Sequence, residues 1–221
     1  MTLAAPARRF GAGGDEPWAG ALRAGSADLE LVRHDDAGGT EPMELQRWLD
    51  AADGVDVDVL RGLEGPLLDI GCGPGRMVRA GLDAGLDAWG LDADPAAVAF
   101  CREHGLPVHA GSVFGTVARA GEWSSLLLLD GNIGIGGDVA ALLARCRSLL
   151  RHGGRLVAEV HADPQRDETG LWRLRNADGA ESEPFPWSHV GAHAAVRAAR
   201  GFRLERSWRA PGRAFLQLRR R

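Results

Sequence analysis

The sequence contains no lysine, and all 26 of its basic side chains are arginine. Together with the many alanines and glycines, this is typical of the codon bias of a GC-rich genome, so the run Arg219–Arg221 carries little functional information. The formal net charge is −4. This charge excludes the basic surface expected of a nucleic-acid-binding protein, and we expect no nucleic-acid partner.

Cysteines and long apolar runs are also scarce. The three cysteines, Cys72, Cys101 and Cys146, do not have the spacing of a metal site. No apolar stretch approaches the roughly 18 residues of a membrane span, and the N-terminus lacks the apolar core of a signal peptide. We expect a cytoplasmic protein with reduced, buried thiols, no metal and no membrane contact.

The chain length predicts a single compact unit overall. With 221 residues, 45% of them hydrophobic, the chain can bury a core of its own. We divide it into an N-terminal covering segment with helices, residues 1–63, and one larger domain, residues 64–221. Within the first part, residues 1–26 show no periodicity and predict a loose cover, and helices are expected at 43–49 and 55–63.

From residue 66 onward, apolar runs alternate with amphipathic stretches, which predicts a parallel sheet with helices on both faces. Residues 161–189 break this alternation and predict a long irregular segment. The last two runs flank Pro211 and predict a hairpin. The predicted strands are 67–70, 88–92, 107–111, 125–130, 155–160, 202–208 and 213–218, and the predicted helices are 75–84, 95–104, 139–150 (ended by Gly153 and Gly154) and 192–199.

The most informative segment is residues 67–76, in which a short apolar run is followed by glycines at positions 71, 73 and 75. Glycine allows positive φ and has no Cβ, so the chain can turn sharply and its amides can lie against a ligand. A dinucleotide site requires the pattern Gly-x-Gly-x-x-Gly. Counted from Gly71, its third glycine would fall at Arg76, so the spacing argues against a pyrophosphate site.

The pattern Asp-x-Gly-x-Gly-x-Gly from Asp69 to Gly75 instead resembles motif I of the class I S-adenosylmethionine-dependent methyltransferases. A second acid, Asp92, ends the next predicted strand, where a carboxylate can accept hydrogen bonds from both hydroxyls of a ribose. Residues 90–95 are similar to the family's Gly-hydrophobic-Asp-x-Ser-Pro stretch. Loop, acid and helix start together favour this family over the dinucleotide-binding proteins.

At the class level the resemblance spans residues 64–218, and segments 130–137 and 185–187 are similar to those of small methyltransferase-domain proteins from high-GC bacteria. It implies an α/β, Rossmann-like class I methyltransferase fold. This is a seven-stranded, mostly parallel sheet of order 3-2-1-4-5-7-6 with helices on both faces and a C-terminal antiparallel hairpin. It also implies S-adenosyl-L-methionine as the cofactor, bound by residues 64–221.

In this family the cofactor lies beyond the carboxyl ends of the strands, with methionine at the first strand, ribose at the second and adenine at the third. Ser112 stands where many members carry an aspartate for the adenine amino group. It either accepts a hydrogen bond from that amine or is an ordinary turn serine. The resemblance implies the cofactor residues Asp69, Gly71, Cys72, Gly73, Gly75, Arg76, Asp92, Ala93, Ser112, Val113, Asp130, Gly131 and Asn132.

Two side chains at strand ends are candidate catalytic residues. Asp130 opens the loop 130–137, which corresponds to the family's motif IV but lacks the Pro-Pro-aromatic sequence of the amino methyltransferases that act on nucleobases or glutamine. It is either catalytic or a turn acid. His161 follows the fifth predicted strand and either removes a proton from an acceptor hydroxyl or amine, or is a solvated loop residue.

The acceptor contacts are expected from the N-terminal helices and from residues 161–189. The apolar wedge 185–187 either walls the acceptor pocket or docks its segment onto the sheet. Arg47 is either near the site or an ordinary solvated arginine. The candidate substrate residues are Arg47, Trp172, Phe185, Trp187 and His189.

These patterns predict an enzyme that transfers a methyl group to an oxygen, nitrogen or carbon of a small-molecule acceptor. Three alternatives stay open at this point. The same cofactor could serve methylation of RNA or protein, or the chain could be a binding module that retains the nucleoside pocket without turnover. A dehydrogenase would be indicated if the chain bound NADH and not S-adenosylmethionine.

Overall fold

The computed structural model describes Phe10 and residues 16–25, 28–34 and 39–221. The helices of these described residues are α1 (Pro17–Ala24), α2 (Leu45–Leu49), α3 (Gly54–Leu60), α4 (Arg76–Asp83), α5 (Pro95–Glu103), α6 (Val139–Leu149) and α7 (Ala192–Ala198), with a 3-10 turn at Asn132–Gly134. The strands are β1 (Leu29–Arg33), β2 (Thr40–Met43), β3 (Leu67–Ile70), β4 (Ala88–Asp92), β5 (Val108–Ala110), β6 (Trp123–Leu128), β7 (Leu150–Val160), β8 (Asp167–Asn176), β9 (Phe185–Val190), β10 (Phe202–Ala210) and β11 (Arg213–Arg220).

Seven of these strands form the larger sheet, in the order β10-β11-β7-β6-β3-β4-β5. Strands β5, β4, β3, β6 and β7 are parallel, whereas β11 runs antiparallel to β7 and β10 antiparallel to β11. If these seven strands are numbered along the chain, so that β3 is strand 1 and β11 is strand 7, the order read from the β5 edge is 3-2-1-4-5-7-6, as predicted. The Rossmann-like α/β fold with a C-terminal hairpin is therefore confirmed.

Local sequence explains where the helices of this sheet begin and which faces they bury. The Asp94 side chain accepts hydrogen bonds from the Ala96 and Ala97 amides, and Pro95 occupies the first turn of α5. The apolar stripe of α6 is buried, with Leu142 and Leu143 fully inaccessible to solvent. This packing places the ends of the parallel strands in a fixed arrangement.

The end of α6 differs from the prediction. The helix ends at Leu149, and Leu150 already has extended φ and ψ angles. Gly153 and Gly154 lie within β7, where the register against β6 shifts, so they shape a strand irregularity and do not end the helix.

The prediction of an irregular segment at residues 161–189 is wrong. These residues contain β8 and β9, which pair with each other, and β8 also pairs with β1 in a four-stranded antiparallel sheet of order β2-β1-β8-β9. In β8, Trp172 and Leu174 are buried and alternate with arginines, which is ordinary strand periodicity. The many charges, and Pro186 within β9, conceal this pattern in the sequence.

The N-terminal region is also more regular than predicted. Within the expected loose cover, α1 buries Trp18, Ala21 and Leu22, while most of residues 1–15 lie outside the described part. The helix expected at 43–49 is shorter, because residues 40–43 belong to β2. The small sheet takes strands from both sides of the proposed division at residues 63 and 64, and that division stays a prediction. No helix in the described part of the chain is both long and apolar enough for a membrane span.

Candidate functional site

A cavity of about 1060 Å³ lies where the carboxyl ends of the parallel strands meet the small sheet. Its volume is at the upper end of the roughly 300–1,000 Å³ that small-molecule sites occupy. The structure brings most of the candidate residues to this one space. Those that line it are Arg47, Asp69, Gly71, Cys72, Gly73, Arg76, Asp92, Ala93, Ser112, Val113, Asp130, Gly131, Asn132, His161, Phe185, Trp187 and His189.

Gly75 and Trp172 do not line the cavity. Gly75 has φ 88°, and a Cβ placed there would lie 2.5 Å from Leu106 Cδ1 and 3.0 Å from Cys101 Sγ. It is therefore required for packing at the start of α4. Trp172 is 1% exposed and belongs to the apolar cluster that β8 buries, so it supports the cavity wall from behind.

The glycine turn that follows β3 is held from the neighbouring loop. Gly71 and Gly73 have φ angles of 72° and 52°, which glycine adopts without strain. Asn132 Nδ2 donates hydrogen bonds to the carbonyls of Ile70 and Gly71, at 3.0 and 2.9 Å. A Cβ at Gly71 would lie 2.7 Å from that nitrogen. The Asn132 amide group thus fixes the shape of the turn.

The Cys72 side chain points into the core beneath this turn. A Cβ at Gly90 would lie 2.5 Å from Cys72 Sγ, and Cys72 clusters with Val78 and Cys101. A hydrogen bond with Cys101, together with burial, raises the pKa of Cys72. Its thiol therefore serves packing, and Cys72 faces the cavity only at the turn itself.

Asp92, at the end of β4, joins that strand to the glycine turn. Its Oδ2 accepts a hydrogen bond from the Gly73 amide and its Oδ1 accepts one from the Asp94 amide, both at 2.8 Å. Burial raises the pKa of Asp92 to about 6, against the opposing effect of these amides. The Ala93 amide also bonds this carboxylate. Because an ionised carboxylate has about four lone-pair sites, it can still accept a hydrogen bond from a ligand hydroxyl.

Asp69, at the start of the glycine turn, is a buried carboxylate that lacks a partner. It is 4% exposed, and no residue in the described part of the chain donates a hydrogen bond to its side chain. Burial raises the pKa of Asp69 to about 7; Asp130 adds to the rise and Arg76 opposes it. An unpaired buried carboxylate is costly, so a cationic ligand group beside it would be strongly favoured.

Asp130 is held by two arginines at the floor of the cavity. Arg76 Nη2 donates to Asp130 Oδ2 at 2.7 Å, and Arg47 Nη1 lies 3.1 Å from Asp130 Oδ1. Burial raises the pKa of Asp130, while Arg76 opposes the rise. With both oxygens facing guanidinium groups, Asp130 is placed to position Arg47 and Arg76 and is poorly placed to remove a proton.

The same network extends below the cavity through residues that sequence reasoning missed. Asp56 lies 3.1 Å from Arg76 Nε and 2.7 Å from Arg213 Nη1, and Arg213 also donates to both oxygens of Glu159 at 2.8 Å. Asp56 is 1% exposed. These groups come from α3, β7 and β11, and no spacing in the sequence links them.

His161 makes a hydrogen bond that determines its tautomer. Its Nδ1 accepts a hydrogen bond from the Asp163 amide at 3.1 Å. In the neutral ring the proton therefore lies on Nε2, and His161 presents a donor to the cavity. This arrangement does not favour its predicted role as a base.

The third strand tip is fixed by short-range hydrogen bonds. Ser112 Oγ accepts a hydrogen bond from the Phe114 amide at 3.2 Å, and the Val113 carbonyl accepts one from Arg145 Nε at 2.8 Å. Ser112 is thus a turn serine whose hydroxyl also lines the cavity. Phe114, which the sequence did not single out, is 44% exposed and lines the cavity beside Ser112.

The wedge 185–187 borders the cavity and also contacts the loop after β6, and its contact with an acceptor stays a prediction. Phe185 and Trp187 line the cavity, and Trp187 also pairs with Ile135 of the loop after β6. A Cβ at Gly134 would lie 2.1 Å from the Ser188 carbonyl, so this loop and β9 are in close contact. The cavity wall includes further residues that the sequence did not assign to it: Phe10, Trp18, Leu31, Glu41 and Met43.

The architecture defines a class I methyltransferase fold, and solved structures of that class are similar to this chain. A SAM-dependent methyltransferase from Bacteroides fragilis in complex with S-adenosyl-L-homocysteine has a TM-score of 0.74 and 18% identity, over 91% of each chain. The 1,6-didemethyltoxoflavin-N1-methyltransferase of Burkholderia thailandensis has a TM-score of 0.56 and 20% identity, over 76% of this chain and 77% of its own.

CalS10, an amino pentose methyltransferase from Micromonospora echinaspora whose structure has SAM bound, has a TM-score of 0.52 and 20% identity. That similarity covers 75% of this chain and 87% of CalS10. No protein-family model matches the sequence, and no curated protein sequence matches it. At these identities the similarity establishes the fold.

Proposed function

We propose that this protein is an S-adenosylmethionine-dependent methyltransferase with a small-molecule acceptor. The observation that carries the proposal is the junction between Asp92 and the Gly73 amide. It places a carboxylate with free lone pairs at the end of β4, beside an open glycine turn and within the large cavity.

The residues of the cavity fit this cofactor chemically. Asp92 would accept hydrogen bonds from the two ribose hydroxyls, and Ser112 with the Val113 amide would face the adenine. Asp69, which lacks a partner, would pair with the cationic methionine end. When bound, the cofactor supplies an electrophilic methyl group on a positively charged sulfur.

The protein's own contribution is mainly positioning. Asn132 and Asp92 fix the glycine turn, and Phe185 and Trp187 of β9 line the space beside it. Alignment of two reactants in this way can contribute roughly 7–11 kcal/mol of barrier reduction.

A small-molecule acceptor is supported by the volume of the cavity, about 1060 Å³, and by the net charge of −4, which does not favour binding of RNA. Two of the similar structures are named for acceptors of this kind, 1,6-didemethyltoxoflavin and an amino pentose. Those acceptors belong to the named proteins. Here they support only the size class of the ligand.

Calorimetric titration with S-adenosylhomocysteine tests the proposal. We expect 1:1 binding, weakened about 10-fold or more by Asp92→Ala, since a hydrogen-bonded charged acceptor contributes about 1.5–3 kcal/mol. Asp83→Ala is the matched control, because Asp83 is an exposed aspartate at the end of α4 and lies outside the cavity. Binding of NADH in place of S-adenosylhomocysteine would show a dehydrogenase, and a salt-sensitive complex with RNA would show a macromolecular acceptor.

A further inference from the structure

We propose that His189, oriented by Glu41, is the catalytic base that removes a proton from an aromatic hydroxyl bound in the cavity. This inference rests on the methyl-transfer function proposed above. It assigns the base to a residue that the sequence suggested only as an acceptor contact, and it assigns a chemical class to the acceptor.

The contact between His189 and Glu41 determines the tautomer of the imidazole. His189 Nδ1 lies 3.1 Å from Glu41 Oε2 and faces that carboxylate oxygen. The adjacent His189 lowers the pKa of Glu41, as does Arg166, whose Nη2 lies 3.1 Å from Glu41 Oε1. Glu41 is therefore ionised and can only accept, so Nδ1 carries the hydrogen and Nε2 carries the lone pair.

His189 Nε2 is buried and lacks a hydrogen-bond partner within the described part of the chain. The His189 ring lines the cavity and packs against Trp172 with centroids 4.7 Å apart, which restricts its rotation. An unpartnered lone pair on a ring that borders a cavity can remove a proton near neutral pH from a ligand hydroxyl that reaches it. His161 differs, because its Nδ1 accepts from an amide and its Nε2 carries the hydrogen.

The course of β9 places His189 beside the ends of the parallel strands. Trp187 pairs with Ile135, in the loop that follows β6, and the Val190 carbonyl accepts a hydrogen bond from the His161 amide at 2.8 Å. His189 therefore lies between two points anchored at the carboxyl ends of β6 and β7. This is the edge of the sheet at which the Asp92 and Asp69 carboxylates also face the cavity.

The apolar part of the wall indicates a flat acceptor. Phe10 lies between the β9 aromatics, with centroids 5.1 Å from Phe185 and 5.3 Å from Trp187, and Trp18 packs on Trp48 at 5.8 Å. These side chains pack on one another and also line the cavity, so the surface they present to a ligand is apolar and aromatic, which favours a ring-shaped ligand. The polar pair at one end of this wall would receive the single ionisable group of such a ligand.

The proton and electron balance of the step is simple. His189 Nε2 takes the hydroxyl proton and becomes an imidazolium, which Glu41 stabilises through Nδ1–H. The acceptor oxygen supplies the electron pair of the new carbon–oxygen bond, and the pair of the broken carbon–sulfur bond stays on sulfur. The imidazolium then returns its proton to water, so that no further reactant is needed.

A coloured phenol tests the proposal without knowledge of the natural acceptor. 4-Nitrophenol is titrated into the full chain saturated with S-adenosylhomocysteine, at a pH where the free phenol is largely unionised. We expect the bound phenolate-to-phenol ratio to be about 10-fold higher than the free ratio, the factor that corresponds to one pKa unit. His189→Asn should abolish this rise, and Glu41→Gln should reduce it, because a neutral amide does not stabilise the imidazolium.

His193→Asn is the matched control, since His193 is exposed and lies outside the cavity. Calorimetric binding of S-adenosylhomocysteine shows that each variant is folded, and the ¹⁵N shifts of the wild-type His189 ring report its tautomer independently. The proposal is overturned if the ratio is unchanged by His189→Asn, if it is lost in His161→Asn instead, if Nδ1 carries no hydrogen, or if the phenol does not bind. Failure of S-adenosylhomocysteine to bind would contradict the proposed methyl-transfer function. The ¹⁵N measurement on the free chain needs no ligand, so it tests the tautomer of His189 separately from that function.

Discussion

At the scale of single residues, Asp69 is the clearest sign that the cavity binds a cation. Elsewhere in the site, buried carboxylates such as Asp56 and Asp130 each face arginines, whereas Asp69 accepts no hydrogen bond from the described residues. Its raised pKa, about 7, means that much of it is protonated at neutral pH when no ligand is bound. Ligand binding and proton release should therefore be linked at this residue.

We predict that affinity for S-adenosylhomocysteine rises with pH through about 7. The cationic end of the ligand pairs with the ionised carboxylate, so below the pKa of Asp69, which is about 7, binding must first expel a proton. Between about pH 7.5 and 6 the affinity should fall by roughly 5- to 10-fold, and the number of protons released per ligand should rise from about a quarter at pH 7.5 toward one at pH 6. Calorimetry in buffers of different ionisation enthalpy measures this release.

Asp69→Asn is the control for this linkage. It should weaken binding at about pH 7.5 and remove the dependence near pH 7. The pH dependence of binding that remains in this variant should be centred on the pKa of Asp92, about 6. A pH dependence near 7 that is the same in Asp69→Asn and in the wild type would contradict the assignment.

A second prediction at this scale concerns Gly75. Comparison of Gly75 with Gly85 distinguishes the effect of backbone strain from the effect of steric overlap. Gly75 and Gly85 both have positive φ, 88° and 78°, but a Cβ at Gly75 would lie 2.5 Å from Leu106 Cδ1, whereas nothing lies within 4 Å of one at Gly85. Gly75→Ala should therefore lower the free energy of unfolding by about 1–3 kcal/mol more than Gly85→Ala does. Urea denaturation measures both, and equal losses would show that only backbone strain matters.

At the scale of elements, the sequence predicts the large sheet well and the small sheet poorly. The fully buried run of β6 and the capped start of α5 carry local signals that tertiary contacts reinforce. In β8, by contrast, Glu168 and Arg175 form ion pairs with Arg33 and Glu30 of β1, and such charges suggest an irregular loop. The strand pattern exists, but it becomes visible only once the partner strand β1 is known.

The residues of the candidate site differ in the same way: the sequence predicts some of them, and only the structure identifies the others. Motif residues close in sequence, such as Gly71, Gly73 and Asp92, were found because their spacing reflects one local strand–turn–helix unit. Glu41 lies more than a hundred residues from His189, and only the order of the small sheet brings the two together. Assignment of the base therefore required the structure.

The contact between β9 and the loop after β6 gives a prediction about these elements. Gly134 has no positive φ, yet a Cβ there would lie 2.1 Å from the Ser188 carbonyl and 2.8 Å from Trp187 Nε1. Gly134→Ala should therefore push β9 away from the loop and lower the free energy of unfolding by about 1–3 kcal/mol. It should also weaken 4-nitrophenol binding.

Gly20→Ala is the matched substitution for this test, because Gly20 lies inside α1 with open space around its Cβ position. Alanine is favoured over glycine in a helix by about 0.5–1 kcal/mol, so this variant should be neutral or slightly stabilised in urea denaturation. If Gly134→Ala behaved in the same way, the close contact between β9 and the loop would be disproved.

At the scale of the whole molecule, the cavity floor is an ion-pair network that joins distant parts of the chain. Arg213, at the start of β11, bonds Asp56 of α3 and Glu159 of β7, and Asp56 in turn contacts Arg76 of α4. Three arginines and three carboxylates balance one another in this network, which adds Arg47 and Asp130 to the four residues just named. Removal of one member leaves a buried charge uncompensated.

We therefore predict that Arg213→Met lowers the free energy of unfolding by about 3–5 kcal/mol, because Asp56 and Glu159 lose their shared guanidinium in a buried setting. Methionine keeps the apolar stem of the side chain, so most of the loss is electrostatic. Arg200→Met, at an exposed arginine after α7, should change stability by about 0.5 kcal/mol or less. Urea denaturation at neutral pH compares the two variants. An equal effect of the two substitutions would mean that the network contributes no more than surface ion pairs do.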